Sequence, residues 1–169
     1  MGSIIVTIQN IAVIGAGTMG NGIAQVCATS GYAVTMIDVV PAALEKGLQT
    51  INKSLSKLAE KGRLSADQKD AALKAITTSG DLQAAAGADL VVEAATENVE
   101  LKLKIFRDLD ALARPNVILA SNTSSISLTK IGGATKRPDK VIGMHFMNPV
   151  PLMTLVEIIR GLGTSDETT

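Results

Sequence analysis

Short apolar runs alternate along the chain with longer segments in which apolar residues recur at helical spacing. Such short runs are typical of buried strands, and the helical spacing is typical of amphipathic helices. The predicted strands cover residues 11–14, 33–37, 76–79, 89–93, 117–120, 141–144 and 155–159. The predicted helices cover residues 19–30, 41–61, 99–113 and 127–132, and one more begins after residue 65. The alternation indicates crossover units, and therefore an α/β fold with a doubly wound, mostly parallel sheet and helices on both faces.

Residues that favour turns and helix ends mark the boundaries of these elements. Gly31 follows the first predicted helix, in the position that glycine often takes beyond a helix end. Pro41 stands at the start of the second helix, where the missing N–H costs nothing, and Gly62 interrupts that helix. Ser65 followed by Gln68 matches a capping box and predicts the start of the next helix.

The composition is that of a folded domain with a buried sheet. The chain has 169 residues, of which 46% are hydrophobic, and it contains 16 basic and 16 acidic residues. This charge balance disfavours a nucleic-acid or membrane-surface partner. Only 2% of the residues are aromatic and none is tryptophan, so nucleic acid bound by base stacking is disfavoured too. We predict no metal site.

The single cysteine and the first residues bear on the expected compartment. Cys27 has no second cysteine to pair with and falls in an apolar helical pattern, so we interpret it as a small core residue. No apolar run reaches transmembrane length. Residues 1–9 lack the charged region and the cleavage site of a secretory signal. We therefore expect a cytoplasmic protein.

A glycine-rich segment joins the first predicted strand to the first predicted helix. In a Rossmann-type domain, Gly15 would permit the tight turn, Gly17 the approach of a pyrophosphate to the backbone, and Gly20 the close packing of helix and strand. The helix N-terminus offers free N–H groups and a partial positive charge to the phosphates. We predict that the whole segment binds a dinucleotide, through Gly15, Ala16, Gly17, Thr18, Met19 and Gly20.

An acidic residue ends the second predicted strand, about twenty residues after the glycine loop. Asp38 stands where a carboxylate accepts hydrogen bonds from both ribose hydroxyls and repels a 2′-phosphate, so the sequence favours NAD over NADP. The alternative is a glycine-rich turn in an unrelated α/β protein, with Asp38 only capping the strand end.

A second group of polar residues follows the fifth and sixth predicted strands. Residues 121–125 read Ser-Asn-Thr-Ser-Ser, and residues 145–149 begin with His145, the only histidine in the chain. The carboxyl ends of strands are where doubly wound sheets bind ligands, and histidine is the usual group for proton transfer near neutral pH. Glu157 lies in an apolar strand, where a carboxylate is costly unless paired, so we predict that it pairs with His145.

Each of these residues also has a structural interpretation. A histidine at a strand end can be a hydrogen-bonded structural residue, and Glu157 can lie exposed on an edge strand. The Ser and Thr residues can cap a helix, and for Thr123 and Ser125 this is the interpretation we favour. Glu93 is interpreted as a structural acid at a strand end.

Four parts of the sequence closely resemble the 3-hydroxyacyl-CoA dehydrogenases, in particular the bacterial 3-hydroxybutyryl-CoA type. They are residues 15–20, 91–98, 121–125, and 145–151 together with 155–157. The resemblance covers nearly the whole chain, in order and at the expected spacing. Met147 departs from it, since the family often has a second Phe there.

The resemblance assigns further roles. It implies that His145 is the general base, that Glu157 orients it, and that the Ser124 hydroxyl binds the C3 oxygen of the substrate. Asn148 would lie beside both nicotinamide and substrate. Glu97 and Lys102 match positions that contact the cofactor, whereas Ser54 and Lys61 match positions that contact the CoA moiety and can also be ordinary residues of a solvated helix face.

The implied reaction is oxidation of an (S)-3-hydroxyacyl-CoA thioester by NAD, and its reversal. Hydride leaves C3 for the nicotinamide, His145 takes the hydroxyl proton, and Glu157 stabilises the imidazolium. The chemistry of hydride transfer belongs to the cofactor, and the protein positions it. Acyl-chain preference and metabolic pathway are left open.

Family members carry an all-helical domain after this one, which forms much of a homodimer contact and closes over the substrate. We expect residues 1–163 to form the NAD-binding domain and residues 164–169, which are polar and flexible in character, to begin a linker to that domain. The chain would then be a truncated or proteolysed piece that binds NAD and turns over weakly or not at all. The alternatives are a non-catalytic NAD-binding module and a structural or interaction protein that uses the same fold.

Overall fold

The computed structural model describes residues 7–169, and within them seven strands form one sheet in the order β3-β2-β1-β4-β5-β6-β7. The strands are β1 Asn10–Ile14, β2 Ala33–Ile37, β3 Ile76–Ser79, β4 Leu90–Glu93, β5 Ile118–Ser121, β6 Val141–Phe146 and β7 Val156–Arg160. Neighbours from β3 to β6 are parallel, and β7 pairs antiparallel with β6. The predicted doubly wound, mostly parallel sheet is confirmed.

Five α-helices connect the strands in the described part of the chain. They are α1 Thr18–Thr29, α2 Pro41–Glu60, α3 Ala66–Lys74, α4 Val99–Leu112 and α5 Leu128–Gly133. The predicted capping box at the start of α3 is confirmed, because the Gln68 N–H donates to Ser65 Oγ and the Ser65 N–H donates to Gln68 Oε1. None of these helices is both long and apolar enough to cross a bilayer.

The core consists of two layers, one on each face of the sheet. Alternate residues of a strand point to opposite faces, and in β1 Val13 belongs to one layer whereas Ala12 belongs to the other. The first layer packs Ile23 of α1 and Leu55 of α2 against the sheet, and the second packs Phe106 of α4. Cys27 packs against the first layer, and burial raises the pKa of its thiol to about 11, as expected of a core residue.

Some boundaries and one strand direction differ from the expectations. Strand β6 extends to Phe146, so His145 lies within the strand and not after it. The antiparallel direction of β7 was not predicted. Two short 3₁₀ helices, Leu82–Gly87 and Pro138–Lys140, were not predicted either.

The last six residues fold back onto the start of β6. The Thr164 hydroxyl, whose residue is 4% exposed, donates to the Val141 carbonyl at 2.6 Å and accepts from the Gly161 N–H at 2.9 Å. The Thr168 hydroxyl donates to the Asp139 carbonyl at 2.8 Å. This segment is packed against the domain, in contrast to the flexible character expected of it.

Asp89 ties the start of β4 to the start of β1. Its Oδ2 accepts from the Gln9 and Asn10 N–H groups at 3.0 and 2.9 Å, and its Oδ1 accepts from Arg114 at 2.7 Å. The two backbone hydrogen bonds and then Arg114 lower the pKa of Asp89 from 3.8 to about 2. Because the folded-state pKa lies below the unfolded one, the stabilisation is complete above about pH 4 and is lost as the pH falls towards 2.

We expect Asp89→Asn to lower the free energy of unfolding by about 1 kcal/mol at pH 7, because solvent screens a carboxylate near the surface. Urea denaturation measures this difference. The difference between variant and wild type should shrink progressively between about pH 4 and pH 2. Asp108→Asn is the matched control, because within the described residues Asp108 pairs only with Lys104 on the surface and such pairs contribute little. A difference for Asp89→Asn that stays constant over this pH range would contradict the expectation.

Candidate functional site

At two positions of the loop between β1 and α1, only glycine fits. Gly15 has φ +101°, and a Cβ there would lie 2.7 Å from the Ala94 carbonyl oxygen. A Cβ on Gly20 would lie 1.9 Å from the Gly15 carbonyl oxygen. The positive φ agrees with the tight turn expected at Gly15, and Gly20 lets α1 pack closely against the residue that follows β1.

The third glycine of the loop faces open space. A Cβ on Gly17 would have no neighbour within 4 Å. Gly17 also precedes α1, and no side chain of residues 7–169 caps the first N–H groups of that helix, so these donors are free for a ligand. An exposed backbone and an uncapped helix N-terminus together fit a pyrophosphate, and Thr18 and Met19 lie in the same first turn.

Asp38 lies against the glycine loop. Its Oδ2 accepts from the Ala16 N–H and its Oδ1 accepts from the Val40 N–H, both at 2.9 Å. These two hydrogen bonds hold the carboxylate at the end of β2, next to the loop, where a ribose-binding acid is needed. The hydrogen bond to Ala16 was not predicted, and it means that Asp38 also holds the loop itself.

His145 and Glu157 face each other across β6 and β7. They are directly opposed in the antiparallel register, and the His145 Nδ1 and Glu157 Oε2 atoms are 2.8 Å apart. The predicted pairing is confirmed, although Glu157 is also half exposed, with 49% of its side chain accessible. Among residues 7–169 no group hydrogen-bonds the other ring nitrogen, Nε2, which leaves it free for a substrate.

The Ser and Thr residues after β5 divide into capping and free groups. Thr123 Oγ1 accepts from the Ser125 and Ile126 N–H groups and donates to Glu97 Oε2 at 2.8 Å, so Thr123 caps the turn. Glu97 Oε1 also accepts from the Ser124 N–H at 3.2 Å. The Ser124 side chain is exposed and makes no hydrogen bond within the described chain. Its hydroxyl is free, as its expected role requires.

A cavity of about 400 Å³ brings together residues expected to contact CoA. Ser54, Lys61 and Asn148 all line it, beside Thr18 of the first turn of α1. Two further cations, Lys57 and Arg63, line it as well. A larger groove of about 580 Å³ between α4 and residues 134–137 contains none of the predicted site residues.

A buried network below the site was missed by the sequence analysis. Glu93 and Lys102 are 0% and 1% exposed, and Lys102 Nζ donates to Glu93 Oε1 at 2.6 Å. Ser121 Oγ donates to Glu93 Oε2 at 2.7 Å. Removing one partner of such a buried pair costs about 3–5 kcal/mol. Lys102 is thus a buried partner of Glu93, and its direct contact with a cofactor stays a prediction.

A signal for this network exists in the sequence. Lys102 falls three residues after Val99, immediately before Leu103 and four residues before Phe106, on the apolar face of α4. A cation on the buried face of a helix requires an anionic partner. Glu93, the acid at the end of the preceding buried strand, was the natural candidate.

The chain matches known proteins along nearly its whole length. The family model for the NAD-binding domain of 3-hydroxyacyl-CoA dehydrogenase matches residues 10–169. A 3-hydroxybutyryl-CoA dehydrogenase of Bradyrhizobium diazoefficiens is 48% identical over 161 residues, which are 95% of this chain and 55% of that protein. A mitochondrial hydroxyacyl-coenzyme A dehydrogenase of Rattus norvegicus is 42% identical, over 96% of this chain and 54% of that protein.

The structural comparison agrees. The crystal structure of (S)-3-hydroxybutyryl-CoA dehydrogenase from Ralstonia eutropha superposes with a TM-score of 0.93 at 51% identity, over 96% of this chain and 57% of that chain. The chain thus spans about half the length of the relatives that it matches. From the glycine loop, its adjoining acid and these matches we conclude that the chain belongs to the 3-hydroxyacyl-CoA dehydrogenase family and comprises its NAD-binding domain.

Proposed function

We propose that this domain serves a dehydrogenase that interconverts (S)-3-hydroxyacyl-CoA and 3-oxoacyl-CoA with NAD. The observation that carries the proposal is the 2.8 Å contact between His145 Nδ1 and Glu157 Oε2. It leaves Nε2 as the proton acceptor, on a strand of the sheet whose carboxyl edge also holds the glycine loop. A fold that only binds a dinucleotide has no need of such a pair.

The residues of the chain divide the work of oxidation between them. When bound, NAD⁺ supplies the hydride acceptor for the hydrogen on C3. His145 Nε2 takes the proton of the C3 hydroxyl, so that the C–O single bond becomes a carbonyl. Glu157 accepts a hydrogen bond from Nδ1–H, which fixes the tautomer and stabilises the imidazolium that forms. The Ser124 hydroxyl donates to the C3 oxygen and orients it.

The cofactor contacts follow from the loop geometry. The N–H groups of residues 17–19 and the start of α1 bind the pyrophosphate, and Asp38 accepts from the ribose hydroxyls. A 2′-phosphate would be repelled by the Asp38 carboxylate, which favours NAD over NADP. Glu97, Lys102 and Asn148 are proposed to complete the cofactor site, with Asn148 also beside the substrate.

The acyl-CoA occupies the cavity of about 400 Å³ lined by Ser54, Lys61 and Asn148. The cations Lys57, Lys61 and Arg63, which line it, suit the phosphates of CoA. Two of the relatives described above are named for 3-hydroxybutyryl-CoA, which supports a short acyl chain as the preferred substrate.

This chain spans only about half the length of its relatives, which supports a proposal for a further domain. We propose that residues 1–163 are the NAD-binding domain, that residues 164–169 begin a connection to a helical domain, and that a cytoplasmic homodimer forms through that domain. Large apolar side chains near the site are exposed in this chain, among them Leu152, Met153, Leu155 and Ile158. With that surface uncovered, the substrate is poorly ordered, so this chain alone should turn over weakly or not at all.

Two titrations test the proposal on this chain. NADH fluorescence should report saturable binding, with NADPH binding roughly 100-fold more weakly, as one like-charge contact of several kcal/mol allows. Acetoacetyl-CoA should perturb the NADH signal, with slow oxidation or none. Absence of NADH binding would overturn the assignment, and NADH binding without any response to acetoacetyl-CoA would favour a non-catalytic module.

A further inference from the structure

The buried carboxylate of Glu93 is held by donors from three different segments. Oε1 accepts from Lys102 Nζ at 2.6 Å and from the Ala95 N–H at 2.7 Å, and Oε2 accepts from Ser121 Oγ at 2.7 Å. Lys102 Nζ donates in addition to the Ala95 carbonyl at 3.1 Å. The start of α4, the turn after β4 and the end of β5 therefore meet at one side chain.

The hydrogen bond from the Ala95 N–H connects Glu93 to the glycine loop. The Ala94 N–H donates to the Ile14 carbonyl at 2.7 Å, immediately before Gly15. The Ala94 carbonyl oxygen lies only 2.7 Å from the position that a Cβ on Gly15 would take. The turn that Glu93 and Lys102 hold through Ala95 is thus the wall against which the loop is folded, and a shift of that turn moves the loop.

The hydrogen bond from the Ser121 hydroxyl connects Glu93 to the segment that carries Ser124. Ser121 Oγ, which donates to Glu93, accepts from the Thr123 N–H at 3.2 Å. Thr123 and Ser124 are then held by Glu97, at 2.8 and 3.2 Å. The orientation of the Ser121 hydroxyl therefore sets the backbone that presents Ser124.

A buried ion pair is not needed for stability as such. Apolar residues of similar volume in its place often leave a protein equally stable or more stable, because the charges lose their hydration. This pair lies at the carboxyl edge of the sheet, where ligands bind in this fold class, and its hydrogen bonds end on two segments of the site.

We propose that Glu93 is a positioning residue. Paired with Lys102, it holds the 94–95 turn against the glycine loop, and through Ser121 it holds the segment that carries Ser124. The inference rests on the proposed function, because these positions matter to catalysis only if the loop holds NAD and Ser124 contacts the substrate. Glu93 touches neither, and acts through the backbone that it holds.

Ser121→Ala tests the proposal with a matched control. It removes one buried hydroxyl at the site edge, while Thr164→Val removes another buried hydroxyl with its hydrogen bonds at the amino end of β6. Both variants should lose a few degrees in Tm. Only Ser121→Ala should weaken NADH binding, by roughly fivefold, the effect of one lost hydrogen bond, and only Ser121→Ala should speed amide exchange at Ala95 and Ser124.

Glu93→Gln gives a second measurement. Its amide nitrogen would donate to Ser121 Oγ where Oε2 now accepts, so the hydrogen bonds of Ser121 and Thr123 must rearrange. We expect NADH to bind roughly tenfold more weakly than to the wild-type chain, a larger loss than for Ser121→Ala. If Glu93→Gln does not fold, the pair of Ser121→Ala and Thr164→Val decides alone.

The proposal is overturned if Ser121→Ala matches Thr164→Val in both NADH affinity and amide exchange at Ala95 and Ser124. If the wild-type chain binds no NADH, the proposed function fails by itself. The exchange rates of the ligand-free chain then still decide whether Glu93 and Ser121 hold these two segments.

Discussion

Replacing His145 by alanine is expected to lower kcat for the reduction of acetoacetyl-CoA by NADH roughly 10³-fold, the usual contribution of a general acid or base. The reason is that Nε2 is the free nitrogen of a ring whose Nδ1 is fixed by Glu157 at 2.8 Å. The measurement belongs in the intact dehydrogenase that we propose carries this domain, and the NADH dissociation constant should change little.

Glu157→Gln is the companion variant for this experiment. Glutamine can still accept from Nδ1–H, but it does not neutralise the imidazolium, so we expect a smaller loss than for His145→Ala. Because the two residues act as a unit, the double variant should be no slower than His145→Ala alone. Turnover retained by His145→Ala, or losses that simply multiply in the double variant, would remove the pair from the mechanism.

Replacing Asp38 by alanine is expected to raise the NADH dissociation constant of this chain roughly 100-fold. The two charge-assisted hydrogen bonds that we propose to the ribose contribute about 1.5 kcal/mol each at the low end of their range, and the Ala16 N–H loses its acceptor in the loop. Fluorescence titration with NADH measures the effect. An unchanged affinity would exclude Asp38 from the cofactor site.

Asp38→Asn separates the two duties of this side chain. Asparagine keeps one oxygen for the Ala16 N–H, while the charge that repels a 2′-phosphate is gone, so discrimination against NADPH should fall more than NADH affinity does. Asp67→Ala is the control for lost negative charge, because Asp67 is exposed in the first turn of α3.

The layout of the sheet was predictable because its central strands, such as β1 and β4, are buried on both faces. Strand β2 Ala33–Ile37 is a mostly apolar run between a glycine turn and an acid, and its predicted bounds agree with the structure. Strand direction is not encoded in such a run. For β7, whose residues are mostly exposed, the sequence showed an extended segment but not that it pairs antiparallel with β6.

The site was predictable where one residue type has few structural uses. Gly15 and Gly20 occupy positions where no Cβ fits. The only histidine of the chain pairs with the one acid of the following strand. The Glu93–Lys102 pair was missed because it joins a strand end to the next helix. The signal for the pair was a lysine on the apolar face of α4, whose acidic partner lies before the turn, at the end of β4.

The pairing of His145 with Glu157 depends on one register between β6 and β7. Opposed residues in such a pair share a face, and Glu157 stands opposite His145 in one alignment only. A slip by one residue in either direction would put Val156 or Ile158 there, and a slip by two would put Leu155 or Ile159. Every neighbouring alignment places an apolar side chain opposite the imidazole, so a misaligned hairpin would leave His145 without its carboxylate partner.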